Sequence, residues 1–297
     1  MKKLLVFLIL NFIRILKYCF YKITNKNILF YFNTINEENY EKTYIKKNLI
    51  KFFTPNEDIY WRVKTLLTKE PETIDFINEF NNNKKIIFWD IGSNIGLYSI
   101  YAAAIHKNIR VVSFEPSLNN LRILSRNISV NGFSNKIKII SSPLLDKANF
   151  FSKMRESTML EGSAINSFHS NLDFAGKILK SQMDYDILGT SIDYLIKNKI
   201  LEIPHYIKID VDGLEHLILK SSSLVLKSNK IKKISVELNE NYKSQYNGVL
   251  KIMKKYNFEL IASGKTNSII FFDEKNLVKR SNRFSKTFNF HFRKINK

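Results

Sequence analysis

The chain has 297 residues, 44% of them apolar and 13% aromatic, which is enough for a sizeable packed core and excludes wholesale disorder. Its one cysteine, Cys19, excludes a disulfide framework and a cysteine-based zinc site, and it fits a reducing, cytoplasmic setting. The formal net charge is +20, and +14 of it lies in residues 1–30 and 275–297, which hold six and eight cations and no acids. Basic ends around a nearly balanced middle predict attraction to an anionic surface.

Residues 4–10, LLVFLIL, are apolar on every side and follow Lys2 and Lys3. The next residues, NFIRILKYCFYK, offer no small-residue cleavage site, so the segment is expected to be retained. Arg14 and Lys17 interrupt the run short of the ~20 residues of a membrane span. Asn11, Arg14, Lys17, Tyr18, Tyr21 and Lys22 recur every three or four positions, opposite Phe12, Ile13, Ile15, Leu16, Cys19 and Phe20. That pattern predicts a basic amphipathic helix over residues 1–30, lying on the inner face of the plasma membrane. A single-pass anchor and a helix packed on the protein's own core are the competing readings.

Residues 31–85 carry no chemical motif and are read as an N-terminal cap, with a helix near Asn56–Leu67. A strand–helix alternation then begins. Ile86–Asp90 reads as a buried strand and Gly96–Lys107 as a helix. Arg110–Glu115, Ser117–Asn131 and Lys136–Ser141 continue as strand, helix and strand. Pro143–Thr190 is less regular, rich in Ser, Asn and Asp, and long enough to be an acceptor loop. A short helix is predicted over Ser191–Asn198, then a strand over Tyr206–Val211 and a helix from Gly213 to Ser222. A strand over Lys233–Leu238 and a helix over Tyr246–Tyr256 follow. Phe258–Ala262 and Ser268–Phe272 read as a closing antiparallel pair of strands. The alternation predicts an α/β domain over 86–274 with a mostly parallel sheet, and a basic tail over 275–297.

The first strand-to-helix turn is Asp90-Ile-Gly-Ser-Asn-Ile-Gly96. Gly92 permits a tight turn with close ligand approach, and Gly96 lets the helix start near the strand. Glu115 ends the second strand, 19 residues after Gly96, where a carboxylate accepts both hydroxyl hydrogens of a ribose. A dinucleotide fingerprint needs two further glycines where this chain has Asn94 and Leu97. S-adenosylmethionine carries no phosphate and does not need them, and its cationic groups suit an acid such as Asp90. The methyl donor is therefore favoured over NAD.

These residues resemble the FkbM family of class I methyltransferases. The resemblance rests on DIGSNIGLYSI (90–100), SFEPSLNNLRILSRNISVNG (113–132), SIDYLI (191–196), YIKIDVDGLEHLILK (206–220) and ISVEL (234–238), and it covers residues 86–240. It implies a Rossmann-like fold, with a seven-stranded mostly parallel sheet and helices on both faces. It also implies S-adenosylmethionine as donor and a hydroxyl acceptor, often on a sugar of a natural product or surface glycan. Carried over by position, Asp90, Gly92, Asn94 and Gly96 line the methionine and ribose, Glu115 binds the ribose hydroxyls, and Ser142 borders the adenine. Asp210 and Asp212 face the transfer site. The family often has Glu where this chain has Asp212.

A sugar hydroxyl is a weak nucleophile and needs a base or a metal. Asp210, Glu237 and Asn239 lie at neighbouring strand ends and are a candidate Mg²⁺ set. Asp210 or His216 as a metal-free base is the alternative. Glu215 is read as a helix-dipole partner, His205 as structural and Asp193 as a turn cap. The expected partners are a sugar or glycolipid acceptor and an anionic membrane. An RNA methyltransferase is the second reading, since Phe284, Phe288, Phe290 and Phe292 interleave with basic residues. A non-catalytic membrane-associated binding module is the third.

Overall fold

The computed structural model describes residues 2–81, 84–263, 271–273, 276–278 and 286–295. Two helices, α1 (Lys2–Thr24) and α2 (Leu29–Asn36), open the chain. A hairpin of β1 (Tyr40–Ile45) and β2 (Asn48–Phe53) follows, then α3 (Glu57–Lys64) and α4 (Pro71–Asn78). The alternation runs β3 (Ile86–Ile91), α5 (Leu97–Ile105), β4 (Ile109–Phe114), α6 (Leu118–Val130) and β5 (Ile137–Ile140). After an insertion of β6 (Phe150–Glu156), β7 (Ser167–Phe168) and β8 (Met183–Gly189), it resumes with α7 (Ile192–Lys197) and β9 (Tyr206–Ile209). Then come α8 (Glu215–Lys220), α9 (Ser223–Lys227), β10 (Lys233–Asn239), α10 (Lys243–Lys255) and β11 (Phe258–Ser263). A small hairpin, β12 (Phe271–Asp273) with β13 (Asn276–Val278), precedes β14 (Thr287–Lys294).

The central sheet has seven strands in the order β11-β14-β10-β9-β3-β4-β5, and β14 runs antiparallel to both neighbours. Strand order reverses at β3, so a crevice opens beyond the carboxyl ends of β3 and β9. All six residues of β3, IIFWDI, are buried, as expected of a strand covered on both faces. Ile86 and Phe88 join the core on one face, with α5, α6 and the N-terminal segment. Ile87, Trp89 and Ile91 join the other, beneath α7–α10. Side chains cap the helices where the sequence suggests: Asn56 accepts from Ile59 N at 2.9 Å, and Ser117 from Asn120 N at 3.3 Å.

The N-terminal segment is part of this core. Ile45, Ile50, Phe52, Phe53, Ile59, Val63 and Ile77 are all buried in it. Side-chain amides of α6 bind the strand: Asn127 Oδ1 accepts from Phe53 N at 2.8 Å, and Asn131 Oδ1 from Lys51 N at 2.9 Å.

Three parts of the chain differ from the sequence-based expectation. The closing antiparallel strand is β14, lodged between β10 and β11, and not Ser268–Phe272. Residues 268–270 and Phe284 lie outside the described residues. The expected basic tail therefore contains a core strand. Phe290 and Phe292 are 1% and 2% exposed and unable to stack on bases, because the alternation in TFNFHFRK buries them. Pro143–Thr190 is not an irregular loop but carries the three-stranded antiparallel sheet β7-β6-β8, whose turn residues hide its periodicity. The helix after β9 is split into α8 and α9, with Asp193 accepting from Ser223 N and Leu224 N at the start of the second.

His291 on β14 is 4% exposed and stacks on Phe76 at 5.4 Å. Neither ring nitrogen has a hydrogen-bond partner among the described residues. Burial pushes its basicity down to about 4 from the usual 6.5. Below pH 6.5 the unfolded chain binds this proton and the folded chain does not, so stability falls as pH drops toward 4. Urea midpoints are expected to register a loss of about 2 kcal/mol from this group between pH 7.5 and 5. In His291→Phe that part of the pH slope disappears; an unchanged slope rules the assignment out.

Candidate active site

A cavity of about 380 Å³ opens at the switch point. One wall is the β3–α5 turn and the end of β4, with Gly92, Asn94, Phe114, Glu115 and Pro116, continued by Ser142, Pro143 and Leu144. Asp210, Asp212 and Glu237 line it as well. The N-terminal segment closes it with Trp61, Arg62, Lys69, Glu70 and Glu72, and β14 adds Phe288 and Asn289. The insertion covers it with Met154, Ser163, Asn166 and Phe168.

Two backbone positions set the turn. Asn94 has φ +51°, a conformation that Asn tolerates better than most residues, and Gly92 has φ +84°. A Cβ at Gly92 would lie 1.8 Å from the carbonyl oxygen of Asp210, so this glycine admits the end of β9 against the turn. Gly96 serves a helix contact in the same way, since its Cβ would meet Leu124 Cδ1 at 2.5 Å. Gly96 does not line the cavity.

Glu115 sits at the floor. Its Oε2 accepts from Asn94 N at 2.7 Å and its Oε1 from Ser117 N at 2.9 Å. Burial lifts its carboxyl to about 7 against these donors. Asn94 Nδ2 and Asn120 Nδ2 both donate to Ser163 O, at 2.8 and 3.1 Å, which fastens the insertion over the turn. Ser163 Oγ is buried in the cavity wall with no hydrogen-bond partner among the described residues.

Asp90 lies beneath the turn and outside the cavity. It is 0% exposed, and its Oδ2 accepts from Ser99 Oγ at 2.6 Å, which corrects the expectation that it touches a ligand. The side chain of a strand residue one position before the turn faces the α5 packing layer, not the crevice. Burial pushes its carboxyl up, opposed by Lys208, its cross-strand neighbour on β9. Lys208 is itself 1% exposed and donates to Asp210 Oδ2 at 2.7 Å. Burial pulls this ammonium down, and the carboxylates of Asp210, Glu70 and Asp90 outweigh it, leaving the group raised.

Asp212 occupies the left-handed region at φ +58°. Its Oδ2 accepts from Ile165 N at 2.8 Å and from Asn166 N at 3.4 Å. Burial, with Asp210 beside it, raises its carboxyl to about 6. Burial and the charges of Asp210, Glu70 and Asp212 hold Glu237 well above the usual carboxylate range.

The matching family model is the methyltransferase FkbM domain, over residues 90–260. The chain belongs to the FkbM methyltransferase family. No curated protein matches the sequence. Among solved structures, the fold is similar to precorrin-6y C5,15-methyltransferase from Geobacter metallireducens GS-15, at 13% identity over 77% of this chain and 90% of that one, with a TM-score of 0.45. It is also similar to M. capricolum TrmK in complex with S-adenosylhomocysteine, at 12% identity over 75% and 67%, with a TM-score of 0.40.

Within the FkbM motifs, the structure brings Gly92, Asn94, Glu115, Ser142, Asp210, Asp212 and Glu237 to one cavity. It does not bring His216 there. His216 packs against Gly248 and the Tyr242 ring on α10's side, because α8 turns that face outward from the sheet end. Nor does it assemble the Mg²⁺ set. Asn239 is 3% exposed, with its amide donating to Phe174 O at 3.3 Å and its Oδ1 accepting from Asn241 N at 2.9 Å. Asp210 is paired with Lys208, and no group of three or more His, Cys, Asp or Glu among the described residues is placed to hold a metal ion.

Sequence reasoning missed the N-terminal wall. Trp61 and Arg62 sit on a short helix, and the Lys69-Glu70-Pro71-Glu72 run marks the start of α4, where no fingerprint advertises them. It also gave Glu215 too small a part. This buried carboxyl accepts from Val211 N at 3.0 Å, from Gly213 N at 3.3 Å and from Gln245 Nε2 at 2.6 Å, tying down the loop that presents Asp210 and Asp212.

Proposed function

We propose that this FkbM-family protein is an S-adenosylmethionine-dependent O-methyltransferase acting on a sugar hydroxyl of a glycan or glycolipid. The observation that carries this reading is the charge of the cavity. In a chain of net charge +20, Glu70, Glu72, Glu115, Asp210, Asp212 and Glu237 line one pocket in which, among the described residues, Arg62 and Lys69 are the only cations. Such a lining repels the phosphates of RNA. It suits a donor carrying sulfonium and ammonium groups and an acceptor rich in hydroxyl donors. Trp61 adds an aromatic face against which the apolar side of a sugar ring packs.

The residues fit the donor on two counts. Ser163 Oγ, buried and unpartnered beside Asn94, and Glu115, held near neutrality, are groups that a ribose diol satisfies. Glu115, Asn94 and Ser163 would hold the ribose, Ser142 and Leu144 would border the base, and Asp210 would orient the transfer side. When bound, S-adenosylmethionine supplies the electrophilic methyl. Asp212 accepts the acceptor hydroxyl's proton, and Glu237, whose carboxyl burial and its acidic neighbours hold above the usual carboxylate range, hydrogen-bonds a neighbouring group of the acceptor.

Ionised Glu115 accepts from both ribose hydroxyls, whereas protonated Glu115 offers one oxygen fewer. Donor affinity is therefore expected to rise with pH through about 7. Calorimetric titration should also show Glu115→Gln binding at least ~10-fold more weakly, with that pH dependence gone, given the strength of charge-assisted hydrogen bonds. Equal affinity for wild type and variant removes Glu115 from the ribose site. The function itself is tested by comparing masses of surface glycans from cells with and without the gene. Loss of one methylene from a sugar, restored by the intact gene and not by Asp212→Asn, supports the assignment. An unchanged profile, with the purified protein also failing to bind the donor, leaves a non-catalytic module.

A further inference from the structure

Helix α1 is 23 residues long, and its Leu4–Thr24 segment contains an 18-residue stretch with a mean hydropathy of 1.8, none of it buried against the rest of the protein. Leu4, Leu5, Phe7, Phe12 and Ile15 are 57–63% exposed. Helix α2 repeats the feature: it contains no buried residue, and Phe30 and Ile35 are 68% and 67% exposed. The reading of α1 as a helix packed on the protein's own core is thereby removed. An exposed apolar surface of this size marks an interaction site.

We propose that α1 and α2 together dock the enzyme on an anionic lipid bilayer. Charge selects this occupant over a second copy of the chain. Residues 1–36 contain Lys2, Lys3, Arg14, Lys17, Lys22 and Lys26 and no acid, so two such arms repel each other, while anionic headgroups attract each cation. Arg14 and Lys17 divide the helix near its middle, which favours lying in the headgroup–acyl boundary over crossing it. Tyr18, Tyr21 and Tyr31 are 63%, 54% and 51% exposed beside these cations, as side chains with an apolar body and a polar tip are at that depth.

The arm is fastened to the methyltransferase domain just beyond α2. Glu37, just after α2, pairs with Arg122 at 2.6 Å and with Arg126, both on α6. Helix α6 also supplies Asn120 to the cavity wall. The clasp therefore ties the arm to the same helix that lines the cavity, an arrangement suited to an acceptor carried on the lipid surface.

The test is flotation of the full chain on a density gradient with two kinds of vesicle, phosphatidylcholine alone and phosphatidylcholine with 30 mol% phosphatidylglycerol (about one anionic headgroup in three). The full chain is expected to float with the anionic vesicles at least ~10-fold more than with the neutral ones, in line with about 1 kcal/mol per basic residue near the surface. The triple variant Leu5→Asp, Leu8→Asp, Phe12→Asp should stay at the bottom of the gradient. Donor binding should be unchanged in it, since none of the three lies in the cavity wall. A full chain that stays at the bottom with both vesicles overturns the proposal. So does a triple variant that floats like wild type, a full chain that sediments as a dimer instead of floating, or a chain isolated from cells that begins beyond residue 26. None of these outcomes bears on methyl transfer, which the donor titration reads separately.

Discussion

Lys208→Met is expected to destabilise the fold by about 3–5 kcal/mol, the cost of removing one partner from a buried charge cluster. The ammonium is 1% exposed and faces carboxylates from three directions. Asp210, two residues on and just past the end of β9, accepts from it at 2.7 Å. Asp90 is its register partner on β3. Glu70, 6% exposed, reaches it from the N-terminal segment and is held below the usual carboxylate range: burial raises it, and Lys69 and Lys208 outweigh that. Methionine fills the same volume but leaves these acids facing one another in a low-dielectric interior, where protonating them is the cheaper outcome. The loss should appear as a lower urea midpoint at unchanged slope. Adding Asp210→Asn to Lys208→Met should recover at least ~1 kcal/mol, because neighbours in one ion network are not additive. A single variant within 1 kcal/mol of wild type would show that the cluster neutralises itself without the lysine.

This lysine also illustrates what the sequence revealed and what it hid. The parallel core was legible because its strands are apolar runs ending in acids, and because Gly92 and Glu115 fall at turn positions with a mechanical reason to be there. Lys208 stands in the middle of one such run, Tyr-Ile-Lys-Ile, where periodicity marks it as an interruption and only the sheet register shows its partners. Asp90 was read as a ligand contact because it ends its strand, yet which face a strand's last side chain takes is decided by where the chain turns. Strand β14 was obscured by composition: its alternating Thr, Asn and His at buried positions and its basic flanks resemble a solvated tail. Trp61, Arg62 and Glu70 were silent for a different reason. They reach the cavity through tertiary packing of the N-terminal segment on α6, and no local pattern encodes a contact made across 74 residues, as between Phe53 and Asn127.

Asp212→Asn is expected to lower the rate of methyl transfer by about 10²–10⁴-fold, the usual contribution of a positioned general base. Asparagine keeps the shape of the side chain and is among the residues best suited to φ +58°, so the β9–α8 turn should survive the change. The Ile165 and Asn166 amides can still donate to the amide oxygen, which leaves the lost charge as the main difference. The carboxyl titrates at about 6, raised by burial and by Asp210, and acts as a base only when ionised. Turnover by the wild type should therefore climb about tenfold per pH unit below 6 and level off above it. In Asp212→Asn the residual rate should lose that limb, while donor affinity well above pH 7, where Glu115 is already ionised, stays as it was. Asp210→Asn should behave differently: it frees Lys208 from its closest partner and is expected to lower stability as well as turnover. A wild-type profile that is flat from pH 5 to 8, or a variant within threefold of wild type, would assign the proton to another group. Glu237, which lines the same cavity and is raised by burial and then by Asp210, Glu70 and Asp212, is then the next group to test.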